Sequence, residues 1–330
     1  MKRLAVVGAG SWGTALAIAL APRFEQVHLW ARDASQANSI AQQRENARYL
    51  AGFPLPGHIE ISNDLKRTIA GADIVLSVVP ARYLRDVMTL AAEFIAPHTP
   101  VVSATKGIEE KTLRRMSQLI AETLPYPSPV AVLSGPTFAR EIAAGEPAAI
   151  VIAAAELTVA EQIQLAFSTP ALRFYTSQDV VGVEIGAALK NVIALGAGIC
   201  SGLGLGSNSV AALVTRGLAE ITRLAVVLGG KERTLSGLAG LGDLVLTATG
   251  SLSRNRAVGL QLGQGRKLPE ILAQTSMVAE GVFTCRAAYE LSLRHDVSLP
   301  IIAKMHEVLH ENKEPRRAIR ELMERPLTSE

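Results

Sequence analysis

Cysteine is almost absent: Cys200 and Cys285 are the whole supply in 330 residues. Two distant thiols cannot staple a scaffold and lack metal-ligand spacing. The sequence therefore predicts a protein of a reducing compartment with no metal centre. Charge is muted, with 19% of residues ionisable and a formal net of +3. The basic residues are dispersed, which argues against a nucleic-acid partner but leaves room for small anions. No export signal is legible either. The apolar stretch after Lys2 and Arg3 stops at Gly8, too short for a signal-peptide core. The longest charge-free stretch, Asn191 to Thr215, is interrupted by glycines and by Ser201, Ser207, Asn208 and Ser209. A turn there would leave backbone groups unsatisfied in lipid, so buried helices are expected rather than a membrane span. These absences predict a soluble, cytoplasmic chain.

What is present is an apolar fraction of 48% and enough length for two sizeable cores. The chain opens on Arg3-Leu4-Ala5-Val6-Val7, a strand-like run that meets Gly8, Gly10 and Gly13 and then an alanine-rich helix. That glycine spacing is the dinucleotide fingerprint. Gly8 permits the turn, Gly10 permits close approach of a pyrophosphate, and Gly13 lets the helix lie against the strand. Amides at the helix start would face the phosphates. Val27-His28-Leu29-Trp30 reads as the second strand of the unit, and Ala31-Arg32-Asp33 follows it. Arg32 suits the 2′-phosphate of NADP, which is favoured, whereas Asp33 keeps NAD open.

Residues 34–56 read as polar helix and then loop. Ile74 to Val79 is a nearly continuous apolar run, the signature of a parallel strand covered on both faces. Helix from about Arg82 to Ile95, strand ending at Lys106, helix near Lys111 to Leu124, and strand from Val130 into Gly135-Pro136-Thr137 follow. Strand Ala148–Ala153, helix 156–167 and strand Leu172–Thr176 complete the series. The alternation predicts an α/β doubly wound, Rossmann-type sheet domain over residues 1–178. From Gly182 strand-like runs become rare, so residues 179–330 are expected to form an all-helical substrate domain with a solvated helical tail after Asn312.

Two places carry chemistry. In the helix Val183 to Ile193, Lys190 shares a face with Val183, Gly186 and Ala187, with no salt-bridge partner on its own face. A lysine in such a setting is either snorkelling or moving protons. Further on, Gly240-Leu241-Gly242-Asp243 precedes Ser253-Arg254-Asn255. Ser253 is placed to cap a helix whose first turn offers the Arg254 and Asn255 donors, a fitting seat for a phosphate dianion. Asp243 is positioned to orient Lys190 or to accept a substrate hydroxyl. Glu280 is a further polar group in an apolar setting, with no role legible from spacing. Together these point to reversible oxidation of a secondary alcohol on a small phosphorylated substrate.

The segments Gly-Ala-Gly-Ser-Trp-Gly-Thr-Ala at 8–15, Ser-Ala-Thr-Lys-Gly at 103–107 and Ser-Gly-Pro-Thr-Phe-Ala at 134–139 resemble bacterial NAD(P)-dependent glycerol-3-phosphate dehydrogenases. So do Leu-Lys-Asn at 189–191, Gly-Leu-Gly-Asp at 240–243, Ser-Arg-Asn at 253–255 and Glu-Gly at 280–281. The matches run in order through nearly the whole chain. The resemblance implies reduction of dihydroxyacetone phosphate to sn-glycerol 3-phosphate, the backbone of glycerophospholipids, with Lys190 transferring the proton. It implies that Ser11, Trp12, Arg32, Lys106, Ala139, Arg254, Val278 and Glu280 line the dinucleotide. Lys106, Gly135, Thr137, Asp243, Ser253, Arg254 and Asn255 would hold the substrate. The family commonly has serine where this chain has Thr137. The glycine-rich helices and the resemblance together point to a homodimer. The alternatives are a hydroxyacid dehydrogenase of the same plan and a non-catalytic NADP-sensing module.

Overall fold

The computed structural model describes residues 1–274 and 279–327. They cluster into two compact units. The first comprises residues 1–106 and 114–184, and the second residues 107–113 and 185 onward.

The first unit is built on eight strands: β1 (Arg3–Val7), β2 (Gln26–Trp30), β3 (Ile59–Ser62), β4 (Ile74–Ser77), β5 (Val101–Ser103), β6 (Val130–Ser134), β7 (Ala148–Ala154) and β8 (Leu172–Ser177). They form one sheet in the order β3-β2-β1-β4-β5-β6-β7-β8. Period-2 alternation divides each central strand between two cores. Leu4 and Val6 of β1, with Ile74 and Leu76 of β4, join the core on one face, while Ala5, Val7 and Val75 join the other. Helices cover both faces: α1 (Ser11–Leu20), α2 (Ala34–Gln43), α3 (Leu65–Ile69), α4 (Ala81–Ala91), α5 (Met116–Thr123), α6 (Ala139–Ala143) and α7 (Leu157–Phe167). This is the expected doubly wound architecture.

Three details differ from the sequence expectation. β3 lies just beyond the polar stretch 34–56, where the sequence reading marks no element. Only Ile59 and Ile61 are apolar there, enough for a four-residue edge strand pairing with Val27 to Trp30 but too few to stand out. β7 runs antiparallel to β6, as a neighbouring strand can do without a long crossover, and β8 returns parallel to β7. The helix expected from Lys111 begins only at Met116, because Leu113 sits at φ +60 and breaks helical geometry.

The second unit is helical: α8 (Val180–Gly202), α9 (Ser207–Val227), α10 (Glu232–Leu235), α11 (Asp243–Thr249), α12 (Arg254–Gly263), α13 (Leu268–Ala273), α14 (Glu280–Arg294), α15 (Pro300–His310) and α16 (Pro315–Met323). The first turn of α8 belongs to the first unit. Among the described residues α8 alone is long and apolar enough to cross a membrane, yet 89% of its most apolar window is buried inside the molecule. The glycines of α8 and α12 face one another. A Cβ at Gly198 would stand 2.1 Å from the Arg256 carbonyl oxygen, and one at Gly259 would stand 2.0 Å from that of Leu195. These glycines therefore serve packing within one chain, and they lend no support to an interface between copies.

Candidate active site

In the first unit the fingerprint turn is built as its spacing demands. Gly8 adopts φ +123, and a side chain there would strike the Val78 carbonyl at 2.8 Å. Gly13 lies so close to the turn that its Cβ would fall 1.8 Å from the Gly8 oxygen. Gly10 is different: a Cβ would meet nothing within 4 Å, so packing does not require glycine and the space lies open to a ligand. Helix α1 starts there with no side-chain cap and no acidic residue in its first turn, which keeps its positive end available to an anion. The turn is held from behind. The Ala9 carbonyl accepts from Gln36 Nε2 at 3.1 Å and Asn46 Nδ2 at 3.0 Å, and Asn46 also donates to Thr14 Oγ1 at 2.8 Å. The buried indole Nε1 of Trp12 has no hydrogen-bond partner. An orphaned donor beside an open glycine fits a dinucleotide.

Arg32 projects just beyond β2, its guanidinium resting over the Tyr83 ring. Asp33 caps α2, accepting from the Gln36 amide at 2.8 Å. Beyond β5 and β6 three substrate candidates converge: Lys106 Nζ donates to the Gly135 carbonyl at 3.4 Å, and Thr137 Oγ1 donates to the same oxygen at 3.1 Å. Gly135 is required, since its φ is +154 and a Cβ would lie 2.9 Å from the Ala149 oxygen. Ala139 opens α6 and packs against the core that contains α1.

In the second unit Lys190 is only 5% exposed and Asp243 is fully buried. The ammonium donates to Asp243 Oδ1 and, at 2.8 Å, to Thr247 Oγ1. Thr247 in turn donates to the Asp243 carbonyl at 2.6 Å, one helical turn back on α11. The partner missing from Lys190's own helix face thus comes from another helix. Removing water from an ammonium costs several kcal/mol, so a carboxylate opposite it is what permits its burial. Beside this pair runs an amide chain. Asn191 Oδ1 accepts from Asn255 Nδ2 at 3.0 Å, and Asn255 Oδ1 accepts from the Gly281 amide at 3.0 Å. Ser253 caps α12, its hydroxyl accepting from the Arg256 amide at 3.2 Å. Arg254 holds the first position of that helix, where desolvation by the surrounding protein lowers its pKa and the Glu280 carboxylate pulls the other way. Val278 lies outside the described residues.

The glycerol-3-phosphate dehydrogenase models match in both parts. The NAD-dependent glycerol-3-phosphate dehydrogenase N-terminus covers residues 3–160, and the C-terminus covers residues 179–320. A glycerol-3-phosphate dehydrogenase [NAD(P)+] of Koribacter versatilis is 52% identical over 100% of this chain and 99% of its own. The chain belongs to the NAD-dependent glycerol-3-phosphate dehydrogenase family. The crystal structure of glycerol-3-phosphate dehydrogenase from Coxiella burnetii superposes with a TM-score of 0.94 at 38% identity, covering 98% of this chain and 99% of that one. The enzyme from Saccharomyces cerevisiae gives 0.83 at 25% identity over 98% and 99%.

For this glycerol-3-phosphate dehydrogenase family member, sequence reading missed several supporting residues. Thr247 was detectable, because it lies four residues after Asp243 and so on the same helix face. Glu184 is another. It is buried and receives Arg115 Nη1 at 2.5 Å, the Ser117 amide at 2.7 Å and the Ser117 hydroxyl at 2.6 Å, closing the N-terminus of α5. Nothing in its spacing marks residues nearly 70 positions earlier as partners.

Proposed function

We propose that this chain reversibly reduces dihydroxyacetone phosphate to sn-glycerol 3-phosphate with NAD(P)H, supplying the glycerophospholipid backbone. One observation carries the reading: a buried lysine held by Asp243 and Thr247 in a chain of this family. When bound, the nicotinamide supplies the hydride. Lys190 Nζ gives a proton to the substrate carbonyl oxygen as the alcohol forms, and takes it back in the reverse direction. Asp243 and Thr247 aim the ammonium and hold it in place between turnovers. The α12 start, with Ser253, Arg254 and Asn255, and the Lys106–Gly135–Thr137 group receive the substrate. Lys106 and Arg254 supply cationic donors that suit a phosphate. Ser11, Trp12, Arg32, Ala139, Val278 and Glu280 complete the dinucleotide contacts.

Residues 1–178 would thus form the dinucleotide-binding domain, lending Lys106, Gly135 and Thr137 to the substrate, and residues 179–330 the substrate and catalytic domain, lending Arg254, Val278 and Glu280 to the dinucleotide. A soluble, cytoplasmic protein is part of the reading, supported by the burial of α8 and by two buried free thiols. So is a homodimer, supported by the exposed Val226, Val227, Leu241, Val245 and Leu252 of the second unit. The test is nicotinamide oxidation at 340 nm with dihydroxyacetone phosphate, with carboxylated ketones as the comparison. Lys190→Ala should lower kcat by ~10²–10⁴, the usual worth of general acid–base catalysis. A loss under about tenfold would remove Lys190 from proton transfer.

A further inference from the structure

The edge of the sheet that carries the glycine turn also carries two arginines on one aromatic ring. The guanidinium carbon of Arg32 lies 5.1 Å from the centroid of Tyr83, and that of Arg82 lies 4.8 Å from it. Arg32 follows β2, whereas Arg82 and Tyr83 sit in the first turn of α4, just after β4. β2 and β4 flank β1 in the sheet, so the ring and its two cations span the carboxyl edge on either side of the fingerprint turn. Ligands of doubly wound sheets bind at that edge.

Both arginines are exposed and Tyr83 is half-buried. Their guanidinium carbons lie no more than about 10 Å apart, and planar guanidinium forks are the usual side-chain partners of a phosphate. Stacking on a shared ring restricts two otherwise long, mobile side chains, which reduces the ordering cost when an anion arrives. The neighbouring acidic residue, Asp33, caps α2 with Oδ1, which accepts from the Gln36 amide.

We propose that Arg32 and Arg82, braced on Tyr83, form a two-guanidinium seat for the 2′-phosphate of NADP(H), and that Arg82 is a residue setting preference for NADPH over NADH. The proposal rests on the dinucleotide-binding reading above. Arg82 supplies a second fork from the far side of β1, and this fork has nothing to grip in NADH, which lacks the dianion.

Dissociation constants for NADPH and NADH, read by nicotinamide fluorescence, test it on the wild-type chain, Arg82→Ala and Arg82→Lys. The wild type should hold NADPH at least tenfold tighter than NADH, and Arg82→Ala should shrink that ratio at least fivefold. Arg82→Lys should recover part of the ratio, because a point charge replaces a planar fork. Competition by 2′,5′-ADP against ADP gives the same comparison without the nicotinamide half and should lose its preference in Arg82→Ala. A ratio within twofold of wild type in Arg82→Ala, or equal weakening of both cofactors, overturns the proposal. A wild-type chain that binds neither cofactor overturns the dinucleotide reading itself, which separates the two failures.

Discussion

Glu220 offers a pH dependence whose sign and size follow from the structure. Its side chain is 1% exposed, and its carboxylate accepts from the Ile301 and Ile302 amides at 2.7 and 3.0 Å, closing the N-terminus of α15. Burial pushes its pKa up to about 7, although those two amides and the charges of Arg223 and Arg325 pull the other way. In the unfolded chain the group titrates near 4.5. Between those values the folded protein keeps a proton that the unfolded chain has released, so stability falls as pH rises through the window. The contribution is fully present below 4.5 and gone above 7. A shift of this size corresponds to about 3 kcal/mol. Glu220→Gln removes the ionisation and keeps an acceptor oxygen for the amides. The difference in melting temperature between Glu220→Gln and wild type should therefore rise with pH. For a unit of this size about 3 kcal/mol is worth roughly 6–12 °C between pH 4.5 and 8. Scanning calorimetry on both proteins at half-unit pH steps measures it, and other titrating groups cancel in the difference. A flat difference, or one that falls with pH, would mean that the amides and arginines outweigh desolvation.

Three further outcomes are expected. Trp12→Phe removes an indole N–H that bonds nothing in the free protein, so melting should hold steady or rise while dinucleotide affinity falls severalfold; unchanged binding would take Trp12 out of the site. Asn255→Ala strips the Gly281 amide and Asn191 Oδ1 of their partner at once, costing about 2–4 kcal/mol in urea unfolding; a loss below about 0.5 kcal/mol would mean the amide chain is dispensable. Gly259→Ala forces a methyl onto the Leu195 carbonyl, so at least 1–3 kcal/mol of overpacking is expected, and a neutral result by the same assay would show that α8 and α12 separate easily.

The doubly wound sheet was legible because β1 and β4 are apolar on both faces, and the glycine turn because each glycine carries its own steric demand. β3 was not, since two isoleucines in four residues are a weak signal until β2 offers an edge to pair with. The reversal at β7 lies in pairing rather than composition, for an apolar run of that kind serves either direction. In the second unit the resemblance and the spacing singled out Lys190, Asp243 and Asn255. The bonds joining them to Thr247, Asn191 and Gly281 span up to 64 positions and exist only after the helices have packed. Asp33 shows the converse: its type suggested a ribose contact, while its place at the head of α2 gave it a local bond that spacing alone could have forecast.

The glycines shared by α8 and α12 act as a registration mark. Gly198 and Gly202 on one helix and Gly259 and Gly263 on the other alternate along the seam, each clearing space for the opposing backbone. Sliding either helix by one residue would bring a side chain onto a carbonyl, so the pair can seat in one position only. Asn191 lies one turn before Leu195, and Asn255 one turn before Gly259, so the amide link inherits that alignment. Positional accuracy around Lys190 is therefore set partly by atoms that are missing, and a single added methyl at a distance would blur it.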